Sequence, residues 1–295
     1  MANIDEESHQ RRRDFLKATG SAAVALFDGE NAFGQTAPAK SATQRSTPRA
    51  EPIDRGIWAT WYDLEEDGRD QYLSWLHGTY LPALLKRPGY LWAAHYATRG
   101  TEGGSTSTQI HHTDDPAVPP GFRYILLIGA KDAFVFGDPV PSAIHAALPD
   151  EGRKMLAMRR NARVNLLTET GRCEGRARTA YKEGLMSAPS IQIGSFNCPV
   201  EYEEEMLGGY VQSRMPAMCK DASCVRTRKL NSVSGWAKHV ILYEFTSVEG
   251  YERDYEATNA HALIGLGGHS VVPNLIHAPH GPNSAERIWP PVPKA

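Results

Sequence analysis

Bulky apolar residues alternate with small or polar ones from Ile57 to Asp63 (IWATWYD), the pattern of a half-buried strand. Asp67 and Gly68 then open a segment in which Tyr72, Leu73, Leu76, Tyr80, Leu81 and Leu84 recur every three to four positions, which predicts an amphipathic helix. Pro82 lies late in that segment, and Pro88-Gly89 end it. Tyr90 to Ala97 (YLWAAHYA) predicts a second strand and Phe122 to Gly129 (FRYILLIG) a third. A second helical pattern covers Pro141 to Leu167, with a closing strand expected after it.

The same order returns 134 residues later. Ile191 to Phe196 falls on the first strand, Val200 to Met218 on the helix and Cys224 to Leu230 on the second strand. Met206, Leu207, Tyr210, Met215 and Met218 form the helix's apolar stripe, and Pro216 falls on Pro82. Trp236 to Phe245 repeats the third strand at a shift of 115, because the first copy has a longer loop from Gly100 to Gly121. Val248 to Leu266 repeats the second helical pattern. Each copy therefore reads as a split βαβ, or ferredoxin-like, unit. The expected fold class is α+β, with two ferredoxin-like repeats forming one barrel and helices outside it. The expected boundaries are a leader over 1–34, a linker over 35–55, repeats over 56–183 and 188–281, and a Pro-rich tail over 282–295.

The run Arg11-Arg12-Arg13-Asp14-Phe15-Leu16-Lys17, followed by the apolar stretch Ala18 to Phe27, resembles a bacterial twin-arginine export signal. That resemblance implies export machinery as a partner and a periplasmic destination. The leader carries four of the 32 Lys and Arg and six of the 34 Asp and Glu, leaving 28 of each. A neutral remainder has no global field to recruit nucleic acid or an anionic membrane. No run approaches the length of a spanning helix, so no membrane association is expected after export. Cys173, Cys198, Cys219 and Cys224 are expected to be free thiols, with a Cys219–Cys224 disulfide as the alternative.

Trp75, Tyr80, Leu81, Pro82, Pro88 and Gly89, followed by an aromatic strand, resemble the helix-to-strand signature of the dimeric α/β-barrel superfamily, in particular its EthD-like branch. Arg214-Met215-Pro216 and the strand Tyr243-Glu244-Phe245 carry the likeness into the second copy. It implies two ferredoxin-like sheets closed face to face, which removes exposed sheet edges. It also implies a pocket between sheet and first helix, with a His two residues before the Pro. Here that position holds Tyr80 in one copy and Arg214 in the other.

His77, one turn before Tyr80, is the candidate replacement acid–base group, beside a structural reading as a partly exposed helix histidine. Trp58, Trp61, Tyr62, Trp92, His95 and Tyr96 crowd two neighbouring strands and suit an aromatic ligand, with ordinary barrel core as the alternative. Alternation puts Trp92, Ala94 and Tyr96 on one face and Ala93 and His95 on the other. Arg214, Arg226 and Arg228 are candidates for a carboxylate or phenolate, with surface salt bridges as the alternative for the last two, and Tyr243 joins the substrate-binding set. The catalytic candidates are thus His77, Tyr80, His95 and Arg214, with no cofactor and no metal. The expected function is an exported enzyme acting on a small aromatic or polyketide-like compound by acid–base chemistry, of isomerase, cyclase, lyase or oxygenase type. The alternatives are a haem peroxidase-like enzyme with His261 or His269 as iron ligand, and a binding protein without turnover. A second copy of the chain is a further candidate partner.

Overall fold

A computed structural model describes residues 53–99, 110–255 and 271–293. The leader, the linker up to residue 52, the stretches 100–109 and 256–270, and with the latter His261 and His269, lie outside the described residues.

The first half runs β1 (Gly56–Asp63), α1 (Arg69–Trp75), α2 (Leu81–Leu84), β2 (Tyr90–Arg99), the two-residue β3 (His111–His112) and β4 (Tyr124–Ala130). It continues through α3 (Pro141–Ala146), α4 (Asp150–Ala157) and β5 (Arg160–Glu174). The second half runs β6 (Ser190–Asn197), α5 (Val200–Gly209), α6 (Met215–Met218), β7 (Cys224–Ser234) and β8 (His239–Phe245), a helix over 248–255, then β9 (Ile276–His277) and β10 (Asn283–Trp289). Sequence periodicity carries the helix after Pro141 to Leu167; in the structure it ends at Ala157 and β5 begins at Arg160. The alternating Val164, Leu166 and Thr168 there belong to β5, whose exposed early residues dilute the strand pattern.

In the first half the strands lie in the order β2-β4-β1-β5, and in the second β7-β8-β6. β5 pairs with β7, and β10 pairs with both β6 and β2, so the sheet closes into an eight-stranded antiparallel barrel. Each half's last long strand thus pairs with its own first strand and with the other half's second. The segment after 281, read from sequence as a Pro-rich tail, supplies the closing strand β10. Its apolar positions are interleaved with Ser284, Glu286 and Arg287, and the prolines that dominate the segment, Pro282, Pro290, Pro291 and Pro293, all flank the strand rather than lie in it.

Alternation along the strands sorts the core into layers. Ile57, Ala59, Trp61, Trp92, Tyr96, Leu127, Ile193 and Leu242 fill the barrel interior. Trp58, Tyr62, Tyr72, Leu76, Tyr80 and Leu126 pack between the first sheet and its helices, while Phe196, Met206, Tyr210, Met218 and Tyr243 do the same in the second half. Burying an aromatic or aliphatic side chain of this size contributes roughly 1.5–3 kcal/mol, so each layer is a substantial core. Trp92 reaches over Gly129, where an added Cβ would stand 2.0 Å from its ring.

Both first helices contain a five-residue π-helical segment directly before the Pro-bearing turn, Leu76–Tyr80 in one half and Tyr210–Arg214 in the other. Proline has no N–H, and its ring crowds the carbonyl four residues back, so a regular α-helix cannot run through it undisturbed. Here the strain is taken up by a wider turn, in which Leu81 N–H donates to Leu76 O and Met215 N–H to Tyr210 O. Pro82 and Pro216 therefore occupy equivalent places. Each π segment turns its first and last side chains, Leu76 and Tyr80 in one half and Tyr210 and Arg214 in the other, into the helix–sheet layer, and such insertions often serve function.

Candidate functional site

The first helix–sheet layer brings together polar groups that the sequence scatters over a hundred positions. His77 projects from the π segment and its Nε2 lies 2.8 Å from Nδ1 of His95 on β2. His95 Nε2 in turn lies 2.7 Å from the Tyr62 hydroxyl on β1. The Tyr62 and His95 rings lie parallel, and His77 stacks on Trp289 of β10. Tyr62 and His95 are fully buried and His77 is half-buried. Two donor settings satisfy this chain, one with Tyr62 donating inward and the other with His77 donating inward, so a proton can be relayed between interior and rim.

A second pair lies alongside. The Tyr80 hydroxyl sits 3.0 Å from Nε2 of His145 on α3, and His145 packs on the Trp58 ring at 5.5 Å. Trp58 and His145 form part of the wall of a cleft of about 620 Å³, with Phe136, Pro141, Val164 and Val233. Phe134 at its lip is 92 % exposed, so the cleft opens through an apolar rim. The buried indole N–H of Trp58 has no hydrogen-bond partner among the described residues.

Arg159, at the turn between α4 and β5, anchors the layer. Its Nε donates to the Tyr72 hydroxyl at 2.6 Å, and its guanidinium lies 4.8 Å from the Tyr62 ring centre. Burial opposes its charge, but Tyr72, Tyr62 and Tyr80 more than offset this and keep it a cation. Its buried Nη2 donor has no hydrogen-bond partner among the described residues. The histidines are held neutral. Burial lowers His77 to about 4 and His145 to about 4, Arg159 adding to the second, while burial and then the neighbouring His77 and Arg159 push His95 well below its ordinary value. Burial raises the hydroxyls of Tyr62 and Tyr80. At neutral pH the layer therefore holds neutral bases, protonated phenols and one fixed cation, a set able to take up a proton and steady the resulting anion.

The expected aromatic platform is divided by the pleat. Trp58, Tyr62, His95 and Tyr80 face this layer, whereas Trp61, Trp92 and Tyr96 point into the barrel. There Trp92 Nε1–H donates to Asp54 Oδ2 at 2.7 Å and Tyr96 O–H to Ala188 O at 2.9 Å. Arg226 and Arg228, read alternatively as surface ion-pair formers, are fully buried in the barrel. Arg228 bonds Asp54 at 3.0 Å and Glu169 at 2.7 Å, and Arg226 lies 3.2 Å from Glu244. Arg172 closes the cluster on Asp54 at 2.7 Å. Burial would raise the Asp54 carboxyl, but Arg228 and Arg172 hold it below its ordinary value. These arginines therefore have carboxylate partners of their own inside the barrel.

Arg214 and Tyr243 belong to the second layer, where Arg214 Nε donates to the Tyr243 hydroxyl at 2.6 Å and Nη2 to Tyr255 at 3.3 Å. Of the four catalytic candidates, His77, Tyr80 and His95 thus share one layer and Arg214 lies in the other. Sequence reading passed over His145, Arg159 and Tyr72. Tyr72 was counted only as a helix-stripe residue, and His145 and Arg159 fell inside an overlong helical pattern. The four cysteines are free thiols, with Cys219 Sγ–H donating to Cys173 O at 3.1 Å. Among the described residues no three or more His, Cys, Asp or Glu are placed to hold a metal ion, and no helix is long and apolar enough to cross a membrane.

No family model and no curated protein matches the chain. Solved structures similar to it include an anthrone oxidase-like protein, at a TM-score of 0.49 and 9 % identity over 81 % of this chain and 92 % of that one. A chlorite dismutase from Candidatus Nitrospira defluvii in complex with imidazole scores 0.44 at 10 % identity, over 79 % and 90 %. A dye-decolorizing protein from V. cholerae scores 0.44 at 10 % identity, over 80 % and 94 %. Likeness this distant transfers none of those proteins' chemistry to the residues above.

Proposed function

We propose that this chain is an enzyme of the EthD-like kind that acts on a small aromatic or polyketide-like compound by acid–base chemistry, without a cofactor, in the helix–sheet layer of its first half. The observation that carries this reading is the buried Arg159 Nη2 donor, without a partner among the described residues, set among neutral histidines and protonated tyrosines beside an apolar cleft. A flat ring entering past Phe134 would lie against Trp58. His145 takes a proton from an acidic C–H or O–H, Tyr80 hydrogen-bonds to His145 and fixes its orientation, and Arg159 stabilises the enolate or phenolate that forms. The chain Tyr62–His95–His77 carries protons between the layer and the rim. The Arg-Arg leader supports export by the twin-arginine route and a periplasmic setting, with the chain working alone or as a homodimer.

The test is turnover of hydroxylated polycyclic aromatics by the exported protein, followed by mass spectrometry. Arg159→Met and His145→Phe should each lower the rate by about 10²–10⁴-fold, the usual share of a positioned acid–base or anion-stabilising group. Arg214→Met should leave it within a few-fold. A compound retained tightly but released unchanged would instead make the protein a binding module.

A further inference from the structure

The second layer carries a buried lysine that none of the foregoing chemistry uses. Lys229 lies on β7, 3 % exposed, at the position 134 residues after His95, so it occupies in the second half the place of the relay histidine in the first. Phe196 likewise stands at the place of Tyr62, and the Phe196 and Tyr210 rings each lie 6.0 Å from Lys229 Nζ. Nζ is 3.1 Å from Nδ1 of His239 at the start of β8 and 3.2 Å from Leu230 O. Asn231 Nδ2 also lies 3.3 Å from that Nδ1. With two donors converging on Nδ1, the His239 proton resides on Nε2, which donates to Glu203 Oε1 of α5 at 2.9 Å. Among the described residues no carboxylate hydrogen-bonds the amine directly, and Glu203 reaches it through the imidazole.

We propose that Lys229 is a reactive amine that condenses with a small aromatic aldehyde or ketone, with His239 and Glu203 as its proton acceptors. Nζ attacks the carbonyl carbon, and one of its protons passes to His239 Nδ1 as the Nε2 proton moves toward Glu203. The carbinolamine oxygen then leaves as water, so that amine and carbonyl become imine and water with no change of oxidation state. Phe196 and Tyr210 flank the amine and would hold the ring of the carbonyl compound.

The electrostatics agree with this geometry. Burial lowers Lys229 to about 7; Glu203 and the Cys198 thiol oppose that shift, and Lys238 adds to it. Burial also lowers His239 to about 4, with Lys229 contributing. Among the described residues the charged and titratable groups facing the amine are thus His239 on β8, Tyr210 on the π segment, Glu203 on α5, and Lys238 and Cys198 on the adjoining turns. At neutral pH about half of Lys229 is free amine, against roughly one part in a few thousand for an exposed lysine with an ordinary pKa near 10.4.

The experiment incubates the full chain with benzaldehyde and cyanoborohydride across a pH series, and maps the benzylated lysines by peptide mass spectrometry. Lys229 should be labelled first, at least about tenfold faster than Lys220 or Lys238 at neutral pH, given its larger free-amine fraction. Its rate should have a midpoint near pH 7. Lys229→Met should remove that adduct and leave the others. His239→Gln should slow adduct formation and shift the midpoint while the surface lysines react as before. Labelling confined to surface lysines of the folded protein, or a Lys229 rate that rises only at strongly alkaline pH, would overturn the proposal.

Discussion

His95 is fully buried between Tyr62 and His77, and the cost of acidifying the protein can be worked from that placement. Its folded-state pKa lies well below the ordinary histidine value, first through burial. On acidification the unfolded chain takes up this proton below about pH 6.5 while the folded chain refuses it, so stability falls as pH falls until the folded value is reached. Within that window one such proton costs up to about 1.4 kcal/mol per pH unit. His77 and His145, both lowered to about 4, act in the same direction over the same window. The assay is urea unfolding at a series of pH values, for wild type and His95→Gln. The variant should lose roughly 1–2 kcal/mol at neutral pH from its broken hydrogen bonds, yet its stability should decline with acid about 1.4 kcal/mol per unit less steeply. Equal slopes for the two proteins would refute the placement of His95 as a buried neutral base.

Three further outcomes follow from the packing. Arg228→Met leaves Asp54 and Glu169 short of a cation inside the barrel and should cost about 3–5 kcal/mol by chemical denaturation. Gly129→Ala drives a Cβ into the Trp92 ring at 2.0 Å and should lower stability by about 1–3 kcal/mol, read as a shift in melting temperature. Lys229→Met should stabilise the protein below about pH 10 by removing a buried amine, the gain growing as pH falls toward 7 and levelling off below it.

The repeat was legible because both copies keep the same apolar spacing and the same late proline, and Pro82 and Pro216 do stand at equivalent turns. Barrel closure was less legible. It depends on β10, where Ala285 is the deepest apolar residue and the prolines beyond draw the eye toward a tail. At the site, alternation correctly separated His95 from Trp92 and Tyr96, but composition alone grouped all the aromatics into one platform. Arg226 and Arg228 misled for a related reason. A strand position tells which face a side chain takes, whereas the carboxylates that make burial of an arginine tolerable come from Asp54, Glu169 and Glu244, far away in the sequence. Arg159 and His145 carry no local signal, since they gain meaning only when α3, α4 and β5 fold over Tyr62, Tyr72 and Tyr80.

The central claim, that the first helix–sheet layer is the acid–base site, is tested most directly by following the histidine ring nitrogens by NMR while a hydroxylated naphthalene is added. His145 lines the cleft and His77 and His95 belong to the same helix–sheet layer, whereas His239 and His277 pack on Phe196 in the second half. The account predicts that the first three signals move with the ligand, His145 by the largest amount, and that Trp58→Ala abolishes the response. Shifts confined to His239 and His277, or a response that survives both Trp58→Ala and Arg159→Met, would contradict it.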